Sequence, residues 1–142
     1  MNGYLDAASG ATVVSVTGIP FDSYSVIIYF NGDSPSQDRV YNYQIGSSSI
    51  FVQDNSPFSG TFIETVGSTS DLGTSTPAGN FVVFTGLTGS AFTLDSIPGT
   101  SLVTQRSVIN AIQIQATPEP SSFALALLGI AALGFRLRRI RN

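Results

Sequence analysis

Short stretches rich in β-branched and aromatic residues recur along residues 11–116, and clusters of Gly, Pro, Asn, Asp and Ser separate them. This spacing is typical of an all-β sandwich, and no helical period competes with it before residue 117. The pattern predicts strands at residues 11–17, 24–31, 39–45, 49–53, 60–66, 80–85, 91–97 and 108–116. We therefore expect one antiparallel β-sandwich domain over residues 1–116.

Three of these segments also predict where their strands lie in the fold. Residues 26–30 and 81–84 are continuously apolar, which favours central strands that are buried on both faces. Residues 112–115 alternate isoleucine with glutamine, which is the pattern of a half-exposed strand.

Residues 117–142 are organised differently from the rest of the chain. A Pro-Glu-Pro-Ser step occupies residues 118–121, and proline cannot continue a helix backwards, so residues 122–135 are predicted to form a single C-terminal hydrophobic helix. Its large apolar side chains are Phe123, Leu125, Leu127, Leu128, Ile130, Leu133 and Phe135. Residues 136–142 form a basic end that holds Arg136, Arg138, Arg139 and Arg141.

The apolar stretch at residues 123–135 is suited to a membrane, although it is short. It covers roughly 20 Å as a helix, against about 30 Å of hydrocarbon core, and snorkelling arginines can make up the difference. The positive-inside rule places the basic end on the cytoplasmic side, so the body faces outward. A buried amphipathic helix is the alternative, but this stretch carries no polar stripe.

This order of motif, apolar helix and basic end resembles the PEP-CTERM sorting signal of Gram-negative bacteria, which is also described as the ice-binding protein C-terminal domain. The resemblance implies an exported protein that an exosortase processes, with Pro118, Glu119 and Pro120 as the motif that the enzyme recognises. It also implies a membrane-anchored form before processing and a cell-surface or extracellular destination afterwards.

Export normally requires an N-terminal signal peptide, and residues 1–18 do not contain one. No basic residue precedes Arg39, and Thr12 and Ser15 interrupt the first apolar run. We therefore expect that the sequence is truncated at its N-terminus and lacks a signal peptide and one or more strands.

The body resembles secreted bacterial β-sandwich regions that precede PEP-CTERM tails. The resemblance lies in residues 17–20 followed by the strand at 26–30, in residues 81–87 and in residues 110–114. The last segment is similar to the closing strand of galactose-binding-like jelly rolls, which returns to pair with an early strand. The resemblance implies a jelly-roll-like sandwich.

Composition excludes several functions. Residues 1–117 carry eight acidic side chains, two arginines and no lysine, so a nucleic-acid partner is not expected. The chain contains no Cys and no His, which excludes disulfides, thiol catalysis, Ser-His-Asp triads and histidine-ligated metals. The sequence predicts no enzyme activity, no cofactor and no metal.

The remaining candidates for chemistry are carboxylates and one arginine. A glycosidase pair would have to come from Asp33, Asp38, Asp54, Glu64 and Asp71, and their spacing sets no pair apart. Asn31, Asp33 and Asp38 could contribute to a calcium site, but a hairpin loop with Asx turns is the favoured interpretation. For Arg106, pairing with a nearby carboxylate is preferred to a ligand contact.

Sugar binding on a sandwich needs exposed aromatic rings beside polar groups. The candidates are Tyr4, Tyr24, Tyr41, Tyr43 and Phe58. Tyr41 and Tyr43 share a face with Ile45 and are expected inside, whereas Phe58 lies in a predicted turn.

The leading hypothesis is a non-enzymatic protein of the cell envelope or extracellular matrix, with a structural or adhesive role. The alternative is a carbohydrate-binding module that recognises exopolysaccharide, which requires one exposed aromatic and polar patch. A third hypothesis, a polysaccharide-active enzyme, requires two carboxylates that face each other across a groove.

Overall fold

The computed structural model describes residues 3–7, 10–32, 39–100 and 106–118. Within these ranges the chain forms ten strands and one turn of 3₁₀ helix at Gly73–Ser75. The strands are β1 Leu5–Ala7, β2 Thr12–Thr17, β3 Ser23–Tyr29, β4 Val40–Ile45, β5 Ser48–Asp54, β6 Ala78–Gly79, β7 Phe81–Thr88, β8 Ala91–Pro98, β9 Ser107–Ile109 and β10 Ala111–Ala116. The all-β prediction for the body is confirmed.

The described strands form three sheets. A five-stranded sheet has the order β2-β8-β4-β5-β6, a three-stranded sheet has the order β10-β3-β7, and β1 pairs with β9. Among these pairs β5 and β6 run parallel, whereas the others are antiparallel. β6 can run parallel to β5 because the long connection formed by residues 55–77 lies between the two strands, whereas a short hairpin turn would make them antiparallel.

The hydrophobic core joins the two larger sheets into a sandwich-like body. Phe30, at the end of β3, packs against Tyr41 and Tyr43 of β4, with ring centroids 5.7 and 5.5 Å apart. All three side chains are fully buried. Burial of such large aromatic side chains is a dominant stabilising contribution in a domain of this size. The predicted interior position of Tyr41 and Tyr43 is confirmed.

β3 and β7 contain the segments that the sequence predicts to be buried on both faces, but only one face of each segment is fully buried. β3 is the central strand of its sheet, but burial alternates along it, and Ile27 and Tyr29 are only half-buried. β7 lies at the edge of the same sheet, so its predicted central position is wrong. Continuous apolar sequence here reflects a second, partly exposed apolar face of the three-stranded sheet.

Residues 60–66 do not form the predicted strand. Their apolar side chains point outward, with Phe62 49% and Val66 86% exposed, and a single bridge joins Glu64 to Phe81. β-branched and aromatic composition favours a strand only where a sheet face can bury the side chains. This segment is instead a loop that runs beside the start of β7.

The predicted strand at residues 108–116 is divided at Asn110. The side-chain Oδ1 of Asn110 accepts a hydrogen bond from Asn31 N at 2.6 Å, and its side-chain Nδ2 donates to Gly3 O at 3.2 Å. β9 therefore pairs with β1, whereas β10 pairs with β3. In β10 the isoleucines are half-buried and the glutamines exposed, which confirms the predicted alternation.

Two core tyrosines have strongly perturbed acidities. Burial raises the pKa of Tyr41 far above its ordinary value, and the neighbouring Asp54 carboxylate raises it further. Burial likewise raises the pKa of Tyr43, with smaller contributions from Tyr41 and Asp54. The Tyr43 hydroxyl donates to Val108 O inside the core. Ionisation of either buried phenol would therefore destabilise the folded state.

This arrangement predicts a loss of stability in alkali. Above the ordinary tyrosine pKa of 10.0 the unfolded chain releases protons that the folded chain keeps, so the free energy of unfolding falls as pH rises. Each tyrosine contributes a slope of about 1.4 kcal/mol per pH unit. Urea unfolding between pH 8 and 11 should show a constant free energy of unfolding up to about pH 10. Above about pH 10, the free energy of unfolding of Tyr43→Phe should fall less steeply with pH than that of the parent. Equal slopes for the two proteins would contradict the prediction.

Candidate functional site

A partly exposed group of aromatic rings lies on the outward face of the three-stranded sheet. We call the surface formed by Tyr29, Phe58, Phe62, Phe81 and Gln113 the aromatic face. Strand register places Tyr29 of β3 between Ala111 of β10 and Phe81 of β7. Because side chains alternate along a strand, Tyr29 points away from the core that Ile28 enters.

The four rings of the aromatic face form a row in space, in which each ring contacts the next. The centroid of Tyr29 lies 5.6 Å from that of Phe81 and 5.4 Å from that of Phe62, and Phe62 lies 5.2 Å from Phe58. The corresponding interplanar angles are 36°, 76° and 52°. Such tilted and edge-to-face arrangements are favourable for aromatic pairs and hold each ring against its neighbour.

A shallow depression of about 620 Å³ lies between these side chains, lined by Tyr29, Phe62, Phe81, Ala111 and Gln113. The Tyr29 hydroxyl donates a hydrogen bond to Gln113 Oε1 at 3.0 Å. This bond orients the glutamine amide and turns its nitrogen, a donor, towards other acceptors. The depression therefore combines aromatic surface with an oriented amide, and none of its lining side chains is ionisable near neutral pH.

Asn80 holds the loop that carries Phe58 and Phe62 against the strands that carry Tyr29 and Phe81. Its side chain accepts from Ile63 N and donates to Asn55 O, both at 3.3 Å. Its backbone N donates to Ile63 O, and its carbonyl accepts from Phe30 N, both at 2.8 Å. Asn80 is 1% exposed, so this buried amide fixes the loop where it crosses the sheet edge.

Asp54 is a second buried polar centre, and it lies at the end of β5. It is fully buried and accepts hydrogen bonds from Asn31 Nδ2 at 3.2 Å, Gly32 N at 2.7 Å, Tyr41 Oη at 2.9 Å and Ser56 Oγ at 2.9 Å. The space at Gly32 is tight, because a Cβ atom would lie 2.7 Å from Arg39 Nη1 and 3.1 Å from Asp54 Oδ2, so a larger side chain would displace these groups. Asp54 organises the fold and is not open to a substrate.

The other carboxylates considered for catalysis are Asp71, Glu64, Asp33 and Asp38. Asp71 accepts from Gly73 N, two residues along the chain, at 3.0 Å, and from Thr100 N at 2.9 Å, so its carboxylate stabilises the loop before the 3₁₀ turn. Glu64 is exposed on the loop beside β7. Asp33 and Asp38 lie outside the described residues. Within the described ranges, no group of three or more acidic side chains is placed to hold a metal ion.

Asn31 and Arg106 both make side-chain contacts within the fold, and the one at Arg106 is the kind that the sequence predicts. Asn31, one of the residues considered for calcium, is buried and donates to Asp54. Arg106 forms an ion pair with Asp6, which confirms the predicted carboxylate partner. The pair links the segment before β9 to β1, with which β9 forms its short sheet.

Of the aromatic residues considered for sugar binding, only Phe58 lies on the aromatic face. Tyr24, Tyr41 and Tyr43 are fully buried, and Tyr4 packs against the core. Sequence reasoning missed Tyr29, Phe62, Phe81 and Gln113. Gln113 was marked as outward by its alternation with isoleucine, but nothing local to the sequence shows that it meets Tyr29, which is distant in the chain.

The sorting motif follows the body directly. The last backbone hydrogen bond of the described body runs from Thr117 N to Ser23 O at 2.9 Å, and Pro118 is exposed immediately after it. The predicted motif residues Glu119 and Pro120, the apolar helix and the basic end lie outside the described residues. In the part of the chain that the structure describes, no helix is long and apolar enough to cross a membrane.

Thr117 and Pro118, the two described residues that follow the closing strand β10, are both exposed. Residues 116–141 match the family model of the PEP-CTERM protein-sorting motif. The chain therefore carries this motif, which indicates exosortase-dependent sorting of an exported protein to the cell envelope or surface. Comparison with curated proteins and with solved structures gave no match, so the galactose-binding-like jelly roll stays a prediction.

Proposed function

We propose that this protein is a non-enzymatic component of the cell envelope or extracellular matrix, with an adhesive β-sandwich as the cargo of its sorting tail. The observation that carries this proposal is the PEP-CTERM motif at residues 116–141, directly behind the closing strand β10. The apolar stretch at 123–135 anchors the chain in the membrane until an exosortase recognises the motif Pro118, Glu119 and Pro120 and processes the protein.

The roles of the carboxylates support a non-enzymatic body. Hydrolysis of a glycosidic bond needs two carboxyl groups on opposite sides of the scissile bond, both open to the sugar. Asp54 is enclosed by four donors, and Asp71 binds two backbone amides. Both side chains are thus used in stabilising the fold.

A second candidate function is carbohydrate binding, and the aromatic face specifically favours it. A sugar ring has apolar faces that stack on aromatic side chains, and its hydroxyls need hydrogen-bonding partners, which is the usual composition of a small-molecule site. The aromatic face offers Tyr29, Phe62 and Phe81 as stacking surfaces and Gln113 as a polar partner. An adhesive matrix protein with this activity would be retained by binding exopolysaccharide.

A glycan array probed with the full-length chain separates the two candidates. We expect binding to at least one polysaccharide, and Phe62→Ala should weaken it by about two- to tenfold, because an aromatic contact contributes about 0.5–1.5 kcal/mol. The array should be run in a detergent without a sugar headgroup, since a glycosidic detergent would compete. The absence of binding to every glycan would remove the carbohydrate-binding candidate and leave the structural role.

A further inference from the structure

We propose that the aromatic face binds a neutral polysaccharide as a single hydrated chain, and neither an acidic polysaccharide nor the flat surface of a crystalline one. Phe62 and Tyr29 provide the stacking surfaces, and Gln113 provides the hydrogen-bond donor. This inference rests on the carbohydrate-binding function proposed above, and it specifies the class of ligand.

The charges of the body oppose an acidic ligand. Residues 1–117 contain eight acidic side chains, and their two basic ones are Arg39 and Arg106. Arg39 is 8% exposed, and Arg106 is paired with Asp6. A uronate or sulfated chain would therefore meet net negative charge without a basic group to receive its anions, and like charges disfavour association. The lining of the depression is neutral, which matches a neutral chain.

The tilt of the rings opposes a crystalline ligand. A flat polysaccharide surface requires stacking rings that lie in one plane, so that several sugars make contact at once. The planes of Tyr29 and Phe62 are inclined by 76°, those of Phe62 and Phe58 by 52°, and those of Tyr29 and Phe81 by 36°. Contacts between neighbouring rings hold these tilts. A single chain can present successive sugar rings at different angles, and so can follow them.

The polar group is placed to bind hydroxyls beside the rings. Gln113 lies on β10 opposite Ile27 of β3, and its Oε1 is engaged by the Tyr29 hydroxyl. The amide nitrogen can then donate to a sugar hydroxyl, while the Tyr29 oxygen can accept from one. The depression of about 620 Å³ falls in the range of about 300–1,000 Å³ that is usual for small ligands. It therefore accommodates a short segment of a chain.

Affinity electrophoresis and sedimentation of the full-length chain test the ligand class. The probes are soluble hydroxyethylcellulose and galactomannan as neutral chains, alginate and pectate as acidic chains, and microcrystalline cellulose and chitin as crystalline surfaces. We expect retardation by at least one neutral soluble probe, and no binding to the acidic or crystalline probes that depends on Phe62. Phe62→Ala and Gln113→Ala should each weaken retardation by about two- to tenfold.

Val66→Ala is the matched control, because Val66 belongs to the same loop, is 86% exposed and does not line the depression. It should bind as the parent does, and thermal unfolding should show that all three variants are folded.

Binding to alginate, pectate or a crystalline probe that depends on Phe62 would overturn the inference while retaining the carbohydrate-binding function. Retardation unchanged in both Phe62→Ala and Gln113→Ala would also overturn it, because the ligand would bind elsewhere. If no probe bound and the glycan array was also blank, the carbohydrate-binding function itself would fall.

Discussion

Replacing Asp54 with alanine should lower the free energy of unfolding by roughly 3–5 kcal/mol, which is a large share of the roughly 5–15 kcal/mol that stabilises a typical domain. The carboxylate is fully buried and accepts hydrogen bonds from four donors. Alanine would leave these donors in the interior without their acceptor, and each unsatisfied buried group costs about 1–3 kcal/mol, with contributions that do not add fully. Chemical denaturation followed by tyrosine fluorescence would measure the loss.

Two further variants make the Asp54 experiment specific. Asp22→Ala removes the same charge from an exposed position, and it should change the free energy of unfolding by less than about 0.5 kcal/mol. Tyr41→Phe removes one of the four donors and keeps the ring in the core, so it should cost about 1 kcal/mol. A loss for Asp54→Ala no larger than that for Asp22→Ala would show that the buried carboxylate is not an organising centre.

Asp54 also illustrates what sequence patterns cannot show. Aspartate is common in turns, where it accepts hydrogen bonds from nearby backbone amides, and Asp71 accepts in this way from Gly73 N. Asp54 instead ends a strand, and its donors come from the end of β3, from β4 and from Ser56. The burial of a polar side chain is decided by which distant segments surround it, and that information is absent from a local pattern.

Strands were predictable where apolar and polar residues alternate, because this alternation follows directly from the pleated geometry of a strand. Alternation in residues 112–115 identified the half-exposed strand β10, because side chains of successive residues point to opposite faces. Composition alone failed at residues 60–66, which are strand-like in sequence and remain a loop. The short strands β1 and β6 carry too few residues to show a pattern, and β1 exists through its pairing with β9, about a hundred positions later.

The aromatic face was predictable only in part, for the same reason. The sequence indicates Phe58 as a candidate because it lies in a predicted turn. Tyr29 and Phe81 belong to apolar runs that indicated full burial, although the outward side of their sheet is only partly covered. The face is created by the strand order β10-β3-β7, which places Ala111, Tyr29 and Phe81 side by side. Strand order depends on long-range pairing and not on local sequence.

Replacing Glu119 and Pro120 together with alanine should nearly abolish processing of the tail, and full-length protein should accumulate in the membrane. The PEP-CTERM motif match covers both residues, whereas the apolar stretch at 123–135 and the basic end remain intact in this variant. Insertion depends on apolar length and positive charge, so it should persist while recognition by the exosortase is lost. Immunoblots of membrane and external fractions, with an epitope tag on the body, would show the parent as a shortened, released form and the variant as an uncut, membrane-bound one.

Thr117→Ala is the matched control for the tail, because it lies next to the motif and leaves Pro118, Glu119 and Pro120 unchanged. Its backbone N still donates to Ser23 O, so the junction with β10 is kept and processing should proceed as in the parent. A host strain without its exosortase should reproduce the phenotype of the double variant with the parent sequence. Normal shortening and release of the double variant would show that the Pro-Glu-Pro step is not the recognition element. Membrane accumulation of uncut Thr117→Ala would instead place a requirement at the junction between β10 and the motif.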